Sequence, residues 1–238
     1  MPGPRVLITG FEPYGGRDVN PAHEVMSQLD GRHVDACDVV GRSLPVRLDG
    51  LDSCIAALLE DVKPDIVLSL GLWPGESVIR IERVALNLAD FDIADNAGAR
   101  LMDQPLVANG GTALMSTLPV RKIETALLDA GIPAQVSNTA GTFLCNACLY
   151  GFLSAVAHQH EPVRCGFLHL PYLPQQVARL LARRRQDPSL ELHQQKQLAS
   201  MSLDMMVCAV ELAIGASRGE PPPLEEKPSR MQDHGRGV

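Results

Sequence analysis

Apolar and polar positions along the chain alternate between short continuous apolar runs and longer amphipathic stretches, the pattern of strands and helices in turn. Arg5-Val6-Leu7-Ile8-Thr9-Gly10-Phe11 is a run of the kind a strand buried on both faces requires, and its glycine opens a loop. Asp65-Ile66-Val67-Leu68-Ser69-Leu70-Gly71 repeats it, and Arg164-Cys165-Gly166-Phe167-Leu168-His169-Leu170-Pro171 gives a third. Shorter strands are predicted over residues 34–40 and 134–139. Asn20-Pro21 is a cap followed by proline at the first helical position, so a helix starts there and carries His23 on its surface. Leu51, Cys54, Ile55, Leu58, Leu59 and Val62 recur at helical spacing, as do apolar residues over 120–130, 174–184 and 196–216, the last through Leu198, Met201, Met205 and Leu212. Strands alternating with helices predict a single α/β domain over residues 1–218.

Two stretches depart from this pattern. Residues 89–111 hold Asp90, Asp92, Asp95, Asn96, Gly98, Gly110 and Gly111, which predicts a long loop with turns or a short hairpin. Its spaced aspartates resemble a calcium loop, but no glutamate stands at the twelfth position of an EF-hand. Residues 219–238, opening Gly219-Glu220-Pro221-Pro222-Pro223, have too little apolar surface to fold and are read as a disordered tail.

Composition narrows the function classes. A chain of 238 residues, 45% of them hydrophobic, can bury one large core. The formal net charge of −7 argues against a nucleic-acid backbone or an anionic membrane as the main partner, and Arg183-Arg184-Arg185 reads as a solvated helix end. No apolar leader precedes the first strand and no later run approaches the roughly 18 apolar residues of a membrane span, so a cytoplasmic protein is expected. The six cysteines, at positions 37, 54, 145, 148, 165 and 208, are scattered through apolar segments, which fits reduced thiols better than a disulfide framework.

One cysteine stands where chemistry is favoured. Gly141 permits a sharp turn after the 134–139 strand, and Leu144, Cys148, Leu149, Phe152 and Val156 then repeat at helical spacing, so Cys145 lies in the first turn of a helix. The unpaired N–H groups there carry partial positive charge, which favours a thiolate and a neighbouring oxyanion. His169 falls at the carboxyl end of its strand, where ligands of open α/β sheets gather. Glu82 interrupts an otherwise apolar strand segment. Nucleophile, base and orienting acid would follow from these three, although spacing alone equally allows an inert buried thiol, a structural histidine, and a glutamate paired with Arg80 or Arg83. Phe11 and Tyr14 either pack their loop or wall a small apolar pocket. Cys145-Asn146-Ala147-Cys148 is also a C-x-x-C, which keeps a dithiol redox protein open, and adding Cys165 and His169 would give a Cys3His zinc site. The motifs of α/β-hydrolases, dinucleotide-binding proteins, P-loop enzymes and HExxH zinc proteases are missing from the sequence.

The stretch Ser137-Asn138-Thr139-Ala140-Gly141-Thr142-Phe143-Leu144-Cys145-Asn146 resembles the nucleophile motif of the pyroglutamyl peptidase I family, also called pyrrolidone-carboxylate peptidases. Leu7 to Gly16 with Asn20-Pro21, Glu82 to Asn87 with Asp95-Asn96, and Gly166 to Tyr172 resemble it in the same order. The resemblance implies a three-layer α/β/α sandwich with a largely parallel sheet and a cofactor-free cysteine peptidase that removes amino-terminal 5-oxoproline. It also implies a cytoplasmic homo-oligomer, dimer or tetramer. By position it makes Cys145 the nucleophile, His169 the base and then acid, and Glu82 the orienting acid, and it puts Phe11, Tyr14, Val46, Ile93, Phe143 and Leu144 around the lactam ring. Many relatives have phenylalanine at Tyr14, threonine at Val46 and arginine at Asp92. The last change reverses a charge near the expected site and is expected to alter working pH or leaving-group preference. A non-catalytic binder of pyroglutamyl peptides is the alternative that keeps the same residues.

Overall fold

The computed structural model describes residues 3–157, 159, 162–186 and 198–218. The three apolar runs become β1 (Arg5–Phe11), β4 (Ile66–Leu72) and β9 (Arg164–Leu170), adjacent and parallel at the centre of the sheet. Flanking them are β2 (His33–Val34) and β3 (Cys37–Leu44) on one side, and β5 (Ile79–Glu82) and β8 (Ala134–Ser137) on the other, in the order β2-β3-β1-β4-β9-β5-β8. The sheet is mixed: β2 runs against β3, and β5 runs against β9 with β8 parallel to it. Instead of one strand over residues 34–40, a turn at Asp35 and Ala36, both with positive φ, divides a short β2 from a longer β3.

Side-chain alternation assigns each strand residue to a layer. Val6 and Ile8 of β1, Leu68 and Leu70 of β4, Ile79 and Ile81 of β5, and Leu168 and Leu170 of β9 face one core. That core is closed by α1 (Pro21–Leu29), α3 (Val120–Asp129) and α6 (Leu203–Ser217). Leu7, Val67, Cys165 and Phe167 face the opposite core, covered by α2 (Leu51–Val62) and α4 (Leu144–Val156). The result is a three-layer α/β/α sandwich. The remaining helix, α5 (Pro174–Gln186), packs Val177 with Leu72 and Tyr172 at the carboxyl ends of β4 and β9.

The start of α1 is as its sequence predicts: Asn20 Oδ1 accepts from Ala22 N–H at 3.1 Å with Pro21 in the first turn. By contrast α6 begins at Leu203, capped by Ser202, several residues after the predicted start. Met201 is buried all the same, held by the bond from its N–H to the Tyr172 carbonyl, so its place in the apolar stripe came from tertiary burial and not from the helix. The tail from Gly219 onward lies outside the described residues.

The segment after Glu82 leaves the main sheet. β6 (Val84–Leu86) pairs antiparallel with β7 (Ala113–Met115), so the strands lie just outside the predicted 89–111 loop and enclose it, their three-residue arms too short to leave a period in the sequence. The long connection between them folds back on itself through an Ala89–Gln104 bridge. It is latched to the loops after β1 and β3: Glu12 Oε1, after β1, accepts from Asn96 Nδ2 and also from Val46 N–H, and Asp95 Oδ2 accepts from Leu48 N–H after β3, each at 3.0 Å. Among the described residues no helix is long and apolar enough to cross a membrane.

Candidate active site

Register and alternation together place the chemistry. Gly71 of β4 and Arg80 of β5 are both cross-strand partners of His169 on β9. Partners in a sheet point to the same face, so Arg80 and, two residues on, Glu82 share with His169 the face covered by α4. His169 Nδ1 lies 2.8 Å from Glu82 Oε1, with both side chains buried. A carboxylate can only accept, so Nδ1 carries the hydrogen and Nε2 is left as the acceptor. The imidazole is held from two sides, by the Trp73 ring at 4.9 Å in a T-shaped contact and by Phe167 at 4.8 Å.

Cys145 enters the same space from α4. A Cβ built on Gly71 would stand 2.7 Å from Cys145 Sγ, so the thiol sits directly over the strand position next to His169, room that only a glycine leaves. Upstream, Gly141 adopts φ +78°, a turn that L side chains rarely make, and lies against the Trp73 ring. The helix starts at Leu144 with Phe143 as an N-cap that supplies no side-chain bond, so the first-turn N–H groups have no helical partner. Thr142 Oγ1 donates to the Asp90 carbonyl at 2.6 Å, and Asp90 N–H donates back to Thr142 O, which fixes the nucleophile loop to the long connection. Next to Cys145 in the first turn, Asn146 is fully buried and its amide bonds β6 and the residues just after it, accepting from Leu86 N–H and donating to Leu86 O and Leu88 O.

The electrostatics favour neutral resting forms. Burial, followed by the proximity of Cys148 and Glu82, pushes the Cys145 thiol well above its ordinary value, with only its own backbone N–H acting the other way. Burial also lowers the His169 imidazole, against the opposing pull of its hydrogen bond and charge attraction to Glu82. Cys148 is buried one turn inside α4, donates toward Ser69 Oγ at 3.6 Å, and is pushed up to about 12 by burial. It faces the core hydroxyls Thr9 and Ser69, themselves bonded at 2.8 Å. All six cysteines are free thiols.

Of the expected pocket residues, Phe11, Val46 and Leu144 are buried in the core beneath α2 and α4, with Tyr14 and Phe143 packed against it. Tyr14 and Phe143 lie 6.2 Å apart, and burial, with Cys145 adding to it, pushes the Tyr14 phenol up to about 12. Ile93 is 46% exposed, while Phe91, two residues before it, is turned into the core. Phe91, which the sequence did not single out, meets Phe143 edge-to-face at 4.7 Å. The sequence singles out neither Gly71, Trp73 nor Asn146 for the site, and it offers Arg80 only as a partner of Glu82, to which it does bond at 3.1 Å. Arg80 and Trp73 lie within ten residues of Glu82, but no periodicity marks them; Asn146, polar in an apolar helix, was the visible signal.

Gly71→Ala tests the close approach directly. The added methyl would collide with Cys145 Sγ at 2.7 Å and with the Phe167 ring at 2.8 Å, so one of them must move. Displacing a reacting group by about 1 Å can cost on the order of a hundredfold in rate. We therefore expect at least that loss in kcat/KM and slower alkylation of Cys145, with about 1–3 kcal/mol of destabilisation in a urea titration.

The sequence profile of the family described as pyroglutamyl peptidase matches residues 4–219. The pyrrolidone-carboxylate peptidase of Pyrococcus furiosus is 40% identical over 210 residues, covering 88% of this chain and 98% of that protein. That of Escherichia fergusonii is 45% identical over 173 residues, 73% of this chain and 80% of that one. Among solved structures, the pyrrolidone carboxyl peptidase from Thermococcus litoralis superposes with a TM-score of 0.81 at 38% identity, covering 90% of this chain and 93% of its own. Sequence and fold thus agree over nearly all of the described residues, and the chain belongs to the pyroglutamyl peptidase family of cysteine peptidases.

Proposed function

We propose that the protein hydrolyses the amide bond after an amino-terminal pyroglutamyl residue, with Cys145 as nucleophile, His169 as base and acid, and Glu82 as orienting acid. The observation that carries the reading is the Glu82–His169 contact of 2.8 Å beside Gly71, over which the Cys145 thiol sits. As Sγ attacks the pyroglutamyl carbonyl carbon, its proton passes to His169 Nε2 and the carbonyl oxygen becomes an oxyanion within reach of the open N–H groups of the first turn of α4. The C–N bond then breaks as Nε2 returns the proton to the leaving amine. Water repeats the sequence in reverse: it gives a proton to Nε2, attacks the thioester carbon, and expels the sulfur, which recovers the proton.

Phe143, Phe91 and Tyr14 supply an apolar wall suited to a neutral lactam. A charged amino terminus desolvated there would lose several kcal/mol without a partner, which selects against ordinary peptides. The reading extends to a cytoplasmic homo-oligomer, on the family resemblance and not on any contact of the single chain.

Release of a fluorescent amine from pyroglutamyl and prolyl amides tests the proposal. Turnover of the pyroglutamyl amide alone is expected; a folded, reduced enzyme that binds pyroglutamyl peptide without cleaving it would instead be a binding protein.

The neutral resting pair has its own signature. His169 must be unprotonated to accept from Cys145, and its lowered value means that protonation begins only at more acidic pH, so the acid limb of kcat/KM should fall below the ordinary histidine value of about 6.5. Because the thiol is raised, iodoacetamide alkylation of Cys145 in the free enzyme should climb with pH through and beyond neutrality. A preformed thiolate–imidazolium pair would instead hold a flat alkylation rate across the neutral range.

A further inference from the structure

Arg80 is a charged residue on an inward-facing strand position, and every nitrogen of its guanidinium is engaged. Nε donates to Glu82 Oε1 at 3.1 Å, Nη1 to Glu76 Oε2 at 3.3 Å, and Nη2 to Ser137 Oγ at 2.7 Å and to the Thr139 carbonyl at 3.1 Å. Its plane lies 3.9 Å from the Trp73 ring, whose contact with the imidazole is described above. One side chain therefore touches the acid, the wall of the histidine and the loop that leads to Cys145.

Glu82 needs such a partner. Its carboxylate is fully buried, Oε1 is shared between His169 and Arg80, and Oε2 has no hydrogen-bond partner among the described residues. A buried carboxylate with a bare oxygen favours taking up a proton unless a cation is close. We propose that Arg80 is a positioning residue for the reaction: its cation keeps the Glu82–His169 pair in the carboxylate and neutral-imidazole form, while its stacking on Trp73 holds the imidazole in place. This rests on the reading of His169 as base.

The charges around the pair make the expected sign unambiguous. His169 is faced by Glu82 and Arg80 from β5 and by Glu76 from the turn before β5, while the Cys145 thiol of α4 sits over its cross-strand neighbour Gly71 and β4 contributes no titratable group. With the Arg80 cation removed, the pair binds a proton more readily whether that proton settles on Glu82 or on His169. Either site of protonation stops the base.

The experiment is the pH dependence of kcat/KM for pyroglutamyl amide in wild type, Arg80→Met, Arg80→Gln and Arg80→Lys, with folding checked by circular dichroism. The neutral variants should move the acid limb up by about one pH unit or more. Arg80→Lys should leave it near the wild-type position even if kcat falls through the lost stacking. An acid limb that stays in place in a folded neutral variant, with activity lowered equally at every pH, would overturn the proposal and reduce Arg80 to packing. The 15N signals of His169, assigned by their loss in His169→Gln, report the same titration without substrate. An unmoved His169 titration in Arg80→Gln also overturns the inference, whereas absent turnover with a moved titration would count against the peptidase reading alone.

Discussion

Cys145→Ala is expected to lower turnover of pyroglutamyl amide by about 10⁴-fold or more, while Cys148→Ala keeps activity within a few fold of wild type. The two thiols are one helical turn apart and differ in what they meet. Cys145 Sγ lies over Gly71, where the neighbouring strand supplies His169, and keeps part of its surface open. Cys148 points into the core toward Ser69 and Thr9, and among the described residues no histidine or acid acts on it. Alanine at 148 removes one buried sulfur and should cost about 1 kcal/mol as a small cavity, visible as a lower urea midpoint. Alanine at 145 removes the only atom that forms the thioester and should leave the midpoint nearly unchanged, since its surroundings already tolerate partial exposure. Equal loss of activity in the two variants would revive the dithiol reading of Cys145-Asn146-Ala147-Cys148. Retained activity in Cys145→Ala would remove the nucleophile from the proposal altogether.

The elements that position this site were legible to different degrees, for identifiable physical reasons. β1, β4 and β9 are buried on both faces, so their sequences are nearly continuous apolar runs that have few other interpretations. The capped start of α1 and the helix after Cys145 are written in local chemistry, an asparagine before proline and a glycine where φ is positive. The hairpin of β6 and β7 is held by non-local pairing and by Asn146, and three-residue strands leave no period to detect. The later start of α6 has the same origin: Met201 is buried in the core under the sheet, its backbone tied to Tyr172, so apolarity there reports tertiary contact and not helix. For the site, spacing along the chain offered Glu82 and His169 as candidates but could not choose between a solvated ion pair and a buried one. The deciding quantity is the register of β5 against β9. Antiparallel pairing of Arg80 with His169 puts Glu82 on the same face two residues on, and a slip of one residue would have sent Glu82 to the opposite core. Arg80 illustrates the remainder: it reads as an ordinary surface charge until the strand it belongs to is seen to be internal.

Glu82→Gln should lower kcat/KM by about 10²–10⁴-fold and, unlike the neutral Arg80 variants, move the acid limb to lower pH. Glutamine is close to isosteric, so the loss would come from charge and tautomer and not from a void. Its amide oxygen can accept from His169 Nδ1–H, but the flipped amide would donate to Nδ1 and force the hydrogen onto Nε2, where the proton from Cys145 has to go. Glu82 also attracts the imidazolium that forms during attack, and it is the main contribution holding His169 up against burial, with Glu76 adding to it. Without it the imidazole protonates only at still lower pH, so the surviving activity extends further into acid even as its magnitude collapses. Glu82→Ala should be worse for the fold, because it strands the Nδ1–H of a buried histidine and removes one of the two carboxylates on Arg80, a loss of about 3–5 kcal/mol by analogy with broken buried pairs. Urea midpoints separate that structural cost from the kinetic one. Opposite displacements of the acid limb, downward when the anion is removed and upward when the cation is removed, would identify Glu82 and Arg80 as opposing charges acting on one imidazole. Displacement in the same direction would mean that both variants merely loosen the packing around His169, and the electrostatic account of the triad would fail with it.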